Sequence, residues 1–255
     1  RPIDRYTTID KFSSFYGIDL FDIDAKFCIW HPGSCYRETP AYYNNHPLRY
    51  KIYKHFYLLD TYRLSPQQEN DWPLHNYQYY NFNYKKYIDD FKSKLDKKPW
   101  TILHIPSNSN TKGTSIISEA ITNLKLDSTK FNFKTLTHLP YSEVIKEKNN
   151  SLFYIDQVNN WGGYGAAAVE SFFRSNLVFC STHHLSEALY KLTGEYEVPL
   201  VGLDLDTSSI TKTLSHYINL SESELLSIAE GIGCWIESKY NHNNIINHFK
   251  FLLNE

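Results

Sequence analysis

Residues 151–181 read SLFYIDQVNNWGGYGAAAVESFFRSNLVFCS, and the two ends of this stretch share a character that its middle lacks. SLFYIDQ and NLVFCS are short apolar runs of strand length, whereas GAAAVESFFRS between them is alanine-rich and suits a helix. A strand, a helix and a second strand joined by short loops form a parallel pair with a right-handed crossover. The strand segments carry little apolar–polar alternation, which fits strands covered on both faces.

The alternation continues outward in both directions. Upstream lie a strand, WTILHIPS (100–107), a helix, GTSIISEAITNLK (113–125), a strand, FNFKTLT (131–137), and a helix, YSEVIKEK (141–148). The first helix places Ile116, Ile117, Ala120, Ile121 and Leu124 on one face. Downstream come a helix, SEALYKLT (186–193), a strand, VPLVGLD (198–204), and three helical stretches at 208–219, 221–240 and 242–254. Ser221 and Glu224, three apart at the start of the second, make a capping box. Residues 100–255 therefore read as a Rossmann-like α/β domain, a parallel sheet with helices on both faces and a helical end.

Residues 1–99 have another character. DAKFCIWHPGS (24–34) reads as one buried strand running into a loop, 47–65 has mixed apolar spacing, and 67–87 is turn-rich and polar. KSKLDKKPW (92–100) reads as the hinge between the two parts. These residues hold too few strands for a complete second sheet, so the expectation is an N-terminal domain whose first part is missing. The chain has no methionine, in keeping with a processed or partial chain or one whose methionine positions are skipped. Its 21 tyrosines are concentrated in the first hundred residues and are read as biased composition, not as a binding surface.

Bulk properties remove several functional classes. A net charge of −2 with no block of like charges argues against nucleic acid. No apolar run reaches the roughly 20 residues that span a bilayer, so a soluble chain is expected, with peripheral membrane contact left open. Cys28, Cys35, Cys180 and Cys234 are widely spaced without a CxxC pair, which is read as reduced thiols and a cytoplasmic location.

In open parallel sheets ligands bind beyond the carboxyl ends of the strands, and two loops are furnished for that. PSNSNTKG (106–113) is small and polar and ends in Lys112-Gly113. WGGYG (161–165) places three of the chain's ten glycines within four positions, directly before a helix. Glycine leaves backbone N–H groups open, and a helix start favours negative charge, so Gly163, Tyr164 and Gly165 make a phosphate-facing turn. Glu170, further along that helix, could accept hydrogen bonds from a ribose diol, and Lys112 could neutralise phosphate as a point charge. The plainer reading of each is a ligand-free turn, a solvated lysine and a glutamate on a wet helix face.

ILHIPSNSNTKGTSIISEAITNLK followed by GGYGAAAVESFFRSNLVFCS resembles the C-terminal, nucleotide-sugar-binding domain of GT-B glycosyltransferases, especially the retaining group called family 4. The resemblance covers roughly residues 100–253 in element order, and its most specific parts are Lys112-Gly113 and the glycine–aromatic–glycine turn ending at Glu170. It implies transfer of a sugar from a nucleotide-sugar donor with retention of configuration, without a metal or other cofactor, to an acceptor that could be a sugar, a lipid-linked glycan or a protein. Lys112 would contact the donor diphosphate, together with Asn108 and Gly113 of the same loop. Gly162, Gly163, Tyr164 and Gly165 would lie against phosphate and sugar, and Glu170 would bind the ribose. Leu139 and Pro140 fall where the base is held. WHPGSCYR (30–37) is similar to a His-Gly-Ser loop of the N-terminal domain, so His31, Gly33 and Ser34 would line the acceptor side, with His31 orienting sugar or acceptor.

Two positions depart from the pattern. Gly162 stands where the first of two glutamates is usual, and Asn108-Ser109-Asn110 lacks the arginine that often precedes the lysine. A catalytically degenerate domain that binds a nucleotide or glycan, or stabilises a partner, is the alternative. Two metal readings are set aside: Asp22-Ile23-Asp24 and Asp204-Leu205-Asp206 are short enough to arise by chance, the latter as a strand end with a helix cap, and adjacent His183 and His184 near Cys180 are poorly placed to ligate one ion.

Overall fold

The computed structural model describes residues 28–30, 56–59, 71–72, 82–159, 166–181 and 199–239. Three short strands, β1 (Cys28–Trp30), β2 (Phe56–Leu59) and β3 (Asp71–Trp72), pair in parallel in the order β1-β2-β3. β1 falls within the strand expected over 24–34. The expected helices at 186–193 and 242–254 lie outside the described residues.

The larger sheet is all parallel. Its strands are β4 (Trp100–His104), β5 (Phe131–Thr135), β6 (Phe153–Ile155), β7 (Leu177–Cys180) and β8 (Val201–Gly202), in the order β5-β4-β6-β7-β8. The strand order reverses at β4, so the chain leaves β4 for one edge and later leaves β6 for the other. β6 and β7 are buried along their whole length, whereas the edge strands β5 and β8 are partly open, as the unbroken apolar runs require.

Among the described residues six helices accompany it: α1 (Tyr84–Leu95), α2 (Thr114–Leu124), α3 (Tyr141–Asn149), α4 (Ala166–Phe172), α5 (Thr207–Ile218) and α6 (Glu222–Lys239). Their starts follow local chemistry. Asn83 accepts from the Lys86 N–H at 2.8 Å, and Asp206 from the Ser209 N–H at 2.8 Å, each satisfying a first-turn donor. Ser221 and Glu224 form the expected capping box, with the Ser221 N–H on Glu224 Oε2 at 2.7 Å and the Glu224 N–H on Ser221 Oγ at 3.3 Å. On α2, Ile117, Ala120 and Ile121 are buried and Ile116 and Leu124 partly so, matching the face read from spacing.

α5 packs on α2, and α1 packs on α6. α1 corrects two readings: residues 84–87, taken as polar turn, and 92–95, taken as hinge, lie in one helix. Its Tyr87, Ile88, Phe91 and Leu95, at helical spacing, belong to the same core as Ile102, Tyr154 and Phe179 of the sheet. The core thus reaches back across residue 100. Among the described residues no helix is long and apolar enough to cross a membrane.

Candidate functional site

β4 and β6 are neighbours, and their connections leave in opposite directions, which places a crevice between the loops that follow them. Those loops are residues 105–113 and 156–159. They are bound to each other: Val158 N–H donates to Lys112 O at 3.1 Å, and Asn159 Nδ2 donates to Thr111 O at 3.0 Å. Within the first loop, Asn108 Oδ1 accepts from the N–H groups of Asn110 and Thr111, so this residue shapes the turn that carries Lys112.

The Lys112 side chain is 16% exposed. Its ammonium donates to Asp156 Oδ1 at 2.9 Å and to Gln157 Oε1 at 2.7 Å. Asp156 is buried and is anchored by its own N–H on Phe179 O at 2.9 Å. Lys112 is therefore a cation held in place by a carboxylate and an amide, not an isolated point charge.

Beneath it, His104 at the end of β4 is fully buried. Its Nδ1 is 2.9 Å from Ile155 O and its Nε2 is 2.9 Å from Thr114 Oγ1. A neutral ring donating from Nδ1 to the carbonyl and accepting at Nε2 from the hydroxyl satisfies both contacts. Burial lowers the His104 pKa below its ordinary value, against the hydrogen bond to Ile155 and the charge of Asp156. The ring thereby joins β4, β6 and the first residue of α2 without adding charge.

Gly113 is the N-cap of α2 at φ +70°. A Cβ there would stand 2.1 Å from Val158 O, so the close approach of the second loop demands glycine at this position. The Thr114 N–H returns to Ser109 O at 3.0 Å, and the N–H groups of Ser115 and Ile116 begin a helix whose first turn lacks intrahelical acceptors.

Glu170 lies apart from this cluster, in the packing of α4 on α3. It is 6% exposed, so it is no wet-face residue. Lys148 Nζ donates to its Oε2 at 2.7 Å and the Tyr141 hydroxyl donates to its Oε1. Lys148 also donates to Ala167 O at 2.9 Å and stands 4.7 Å from the centre of the Tyr154 ring. Burial raises the Glu170 carboxyl, and the hydrogen bonds from Lys148 and Tyr141 outweigh it, holding the carboxyl below its ordinary value. Leu139 and Pro140 precede α3, with Pro140 as its N-cap, and Tyr141 beside them is 67% exposed although its hydroxyl reaches Glu170.

His31, Gly33, Ser34, Gly162, Gly163, Tyr164, Gly165, His183 and His184 lie outside the described residues. Asp206, the end of the Asp-x-Asp pair, caps α5 through Ser209 and Ser208, as the cap reading expects. The structure adds Asp156, Gln157, His104, Tyr141 and Lys148 to the residues that matter. Asp156-Gln157 carried a signal, a polar pair closing an apolar strand at its carboxyl end. Lys148 carried none, because its burial depends on a partner from another helix.

No protein-family model matches the chain, and the comparison with curated proteins finds no match.

Proposed function

We propose that the chain is the nucleotide-sugar-binding part of a GT-B-type retaining glycosyltransferase, using no metal. The observation that carries this reading is the buried Asp156 that holds Lys112 at the β4–β6 crevice, beside the start of α2. In such a reaction the burden is the negative charge gathering on the departing diphosphate. A fixed ammonium and the open N–H groups of a helix start meet that charge without reorganising. The positive end of the α2 dipole adds to it. Asp156 keeps Lys112 oriented between turnovers, and the Asn108 turn fixes the loop that delivers it.

A second reading is a degenerate domain that binds a nucleotide or glycan, or stabilises a partner, without catalysis. Glu170 favours it, since both carboxylate oxygens already serve Lys148 and Tyr141 instead of standing open to a ribose.

The test is calorimetric titration with UDP, GDP and ADP, with and without EDTA, on wild type and Lys112→Gln. The glycosyltransferase reading expects one nucleotide to bind independently of metal, at least tenfold more weakly in the variant. An absence of binding at millimolar nucleotide overturns both the donor site and the catalytic reading. Glu170→Ala is a poor probe here, because it would strand the buried Lys148.

A further inference from the structure

At the amino-terminal end of the five-stranded sheet, opposite the loops described above, α1 and the ends of α3 and α4 enclose a cleft of about 460 Å³. Four of the side chains lining it are cations, Lys86, Lys94, Lys97 and Arg174, against one carboxylate, Asp90. Asp90 is already held by Lys86 at 2.6 Å. Among the described residues, Lys94, Lys97 and Arg174 have no carboxylate partner.

Lys94 is the unusual member. It is 5% exposed, and its ammonium donates to the carbonyls of Lys148 at 3.2 Å, Ser175 at 3.1 Å and Arg174. These carbonyls close α3 and the turn after α4; they solvate the charge but do not cancel it. Burial pushes the Lys94 ammonium down to about 7, partly offset by Asp90 and reinforced by Arg174, Lys97 and Lys86. Arg174 shows a second shortfall. Its Nη1 donates to Asn149 Oδ1 at 3.2 Å, while its buried Nε has no hydrogen-bond partner. A buried donor left unmatched calls for an acceptor.

We propose that this cleft is a binding site for a phosphate-bearing anion, separate from the crevice at the carboxyl end of the sheet. A guanidinium offers a planar fork and the ammonium groups offer point charges, a combination that suits the several oxygens of a phosphate or diphosphate. Lys97 and Arg174, joined by Lys94 in its protonated form, match a divalent anion better than a single carboxylate. Phe82 and Phe173, packed edge to face with ring centres 5.8 Å apart, also line the cleft and offer apolar surface beside the anion.

The test uses the full chain and inorganic pyrophosphate in calorimetric titration, on wild type, Lys112→Gln and the double variant Lys97→Gln/Arg174→Gln. Pyrophosphate binding at the cleft is expected to persist in Lys112→Gln, which removes only the component at the β4–β6 crevice, and to weaken at least tenfold in the double variant. Thermal unfolding checks that the double variant folds; if it does not, Lys97→Gln alone, at an exposed position, takes its place with at least a threefold loss. Sedimentation with vesicles containing phosphatidic acid, lost in the same variant, assigns the phosphate to a lipid headgroup; pyrophosphate binding without sedimentation assigns it to a soluble phosphate ester. Equal affinity in the cleft variant and wild type, or no binding to pyrophosphate at millimolar concentration together with no sedimentation, overturns the proposal.

Discussion

Lys148 Nζ lies 2.7 Å from Glu170 Oε2 between α3 and α4, with both side chains buried. Removing one member of such a pair leaves an uncompensated charge in the interior, which costs about 3–5 kcal/mol, whereas replacing both with apolar side chains is often close to neutral. Glu170→Ala is therefore expected to lose about 3–5 kcal/mol in urea unfolding. Lys148→Met combined with Glu170→Leu is expected to recover most of that loss. Equal losses in the single and double variants would show that packing, not charge, dominates here.

His104 makes stability depend on pH in a definite direction. Its pKa in the folded chain lies below the ordinary 6.5, so on acidification the unfolded chain binds the proton first. The contribution is present above pH 6.5 and is lost as pH falls from there toward the folded value. Unfolding free energies measured at pH 7.5 and 5.5 should differ less in His104→Gln than in wild type.

Two glycines should respond oppositely to alanine. At Gly113 the added Cβ would meet Val158 O at 2.1 Å in a left-handed backbone, so Gly113→Ala should destabilise the fold by more than about 2 kcal/mol and disturb the loop that carries Lys112. At Gly231, inside α6, nothing lies within 4 Å of the new methyl, and the substitution should stabilise by about 0.5–1 kcal/mol. Paired denaturant titrations of the two variants check both signs.

Lys94 supplies a second pH dependence with a separate window. Burial pushes its pKa from 10.5 down to about 7, so between those values the unfolded chain holds a proton that the folded chain releases. Its contribution to stability accordingly rises as pH climbs from 7 toward 10. Wild type should gain on Lys94→Met across that range in thermal unfolding. A constant difference would mean that the three carbonyls keep the ammonium charged.

The parts of the fold legible in the sequence were those whose burial is local in cause. β4, β6 and β7 are apolar along their length because both faces are covered, and α2 shows its Ile117, Ala120 and Ile121 face at helical spacing. α1 carried the same kind of signal in Tyr87, Ile88, Phe91 and Leu95. It was masked by the surrounding tyrosines, asparagines and lysines and by a lysine-rich end that reads as a linker. At the site, Lys112 stood out because a small polar loop ends there. Asp156 and Gln157 carried only the signal of a polar pair ending a strand, and it is the pairing of β4 with β6 that brings them, 44 and 45 positions away, within reach of the Lys112 ammonium. Gly113 was named among the donor-loop residues, and the structure supplies a nearer cause for a glycine there in the backbone of Val158.

The packing of α1 on α6 has a consequence for the order of events during synthesis. The two helices enclose the whole sheet sequence between them, so the contact is among the most distant along the chain and must close late. At about 5–20 residues per second, α1 leaves the ribosome roughly 7 to 30 seconds before α6 is complete. Through that interval Tyr84 and Tyr87 lack the α6 backbone at Gly233 that they finally pack against, so this part of the core stays uncovered until the last helix is made.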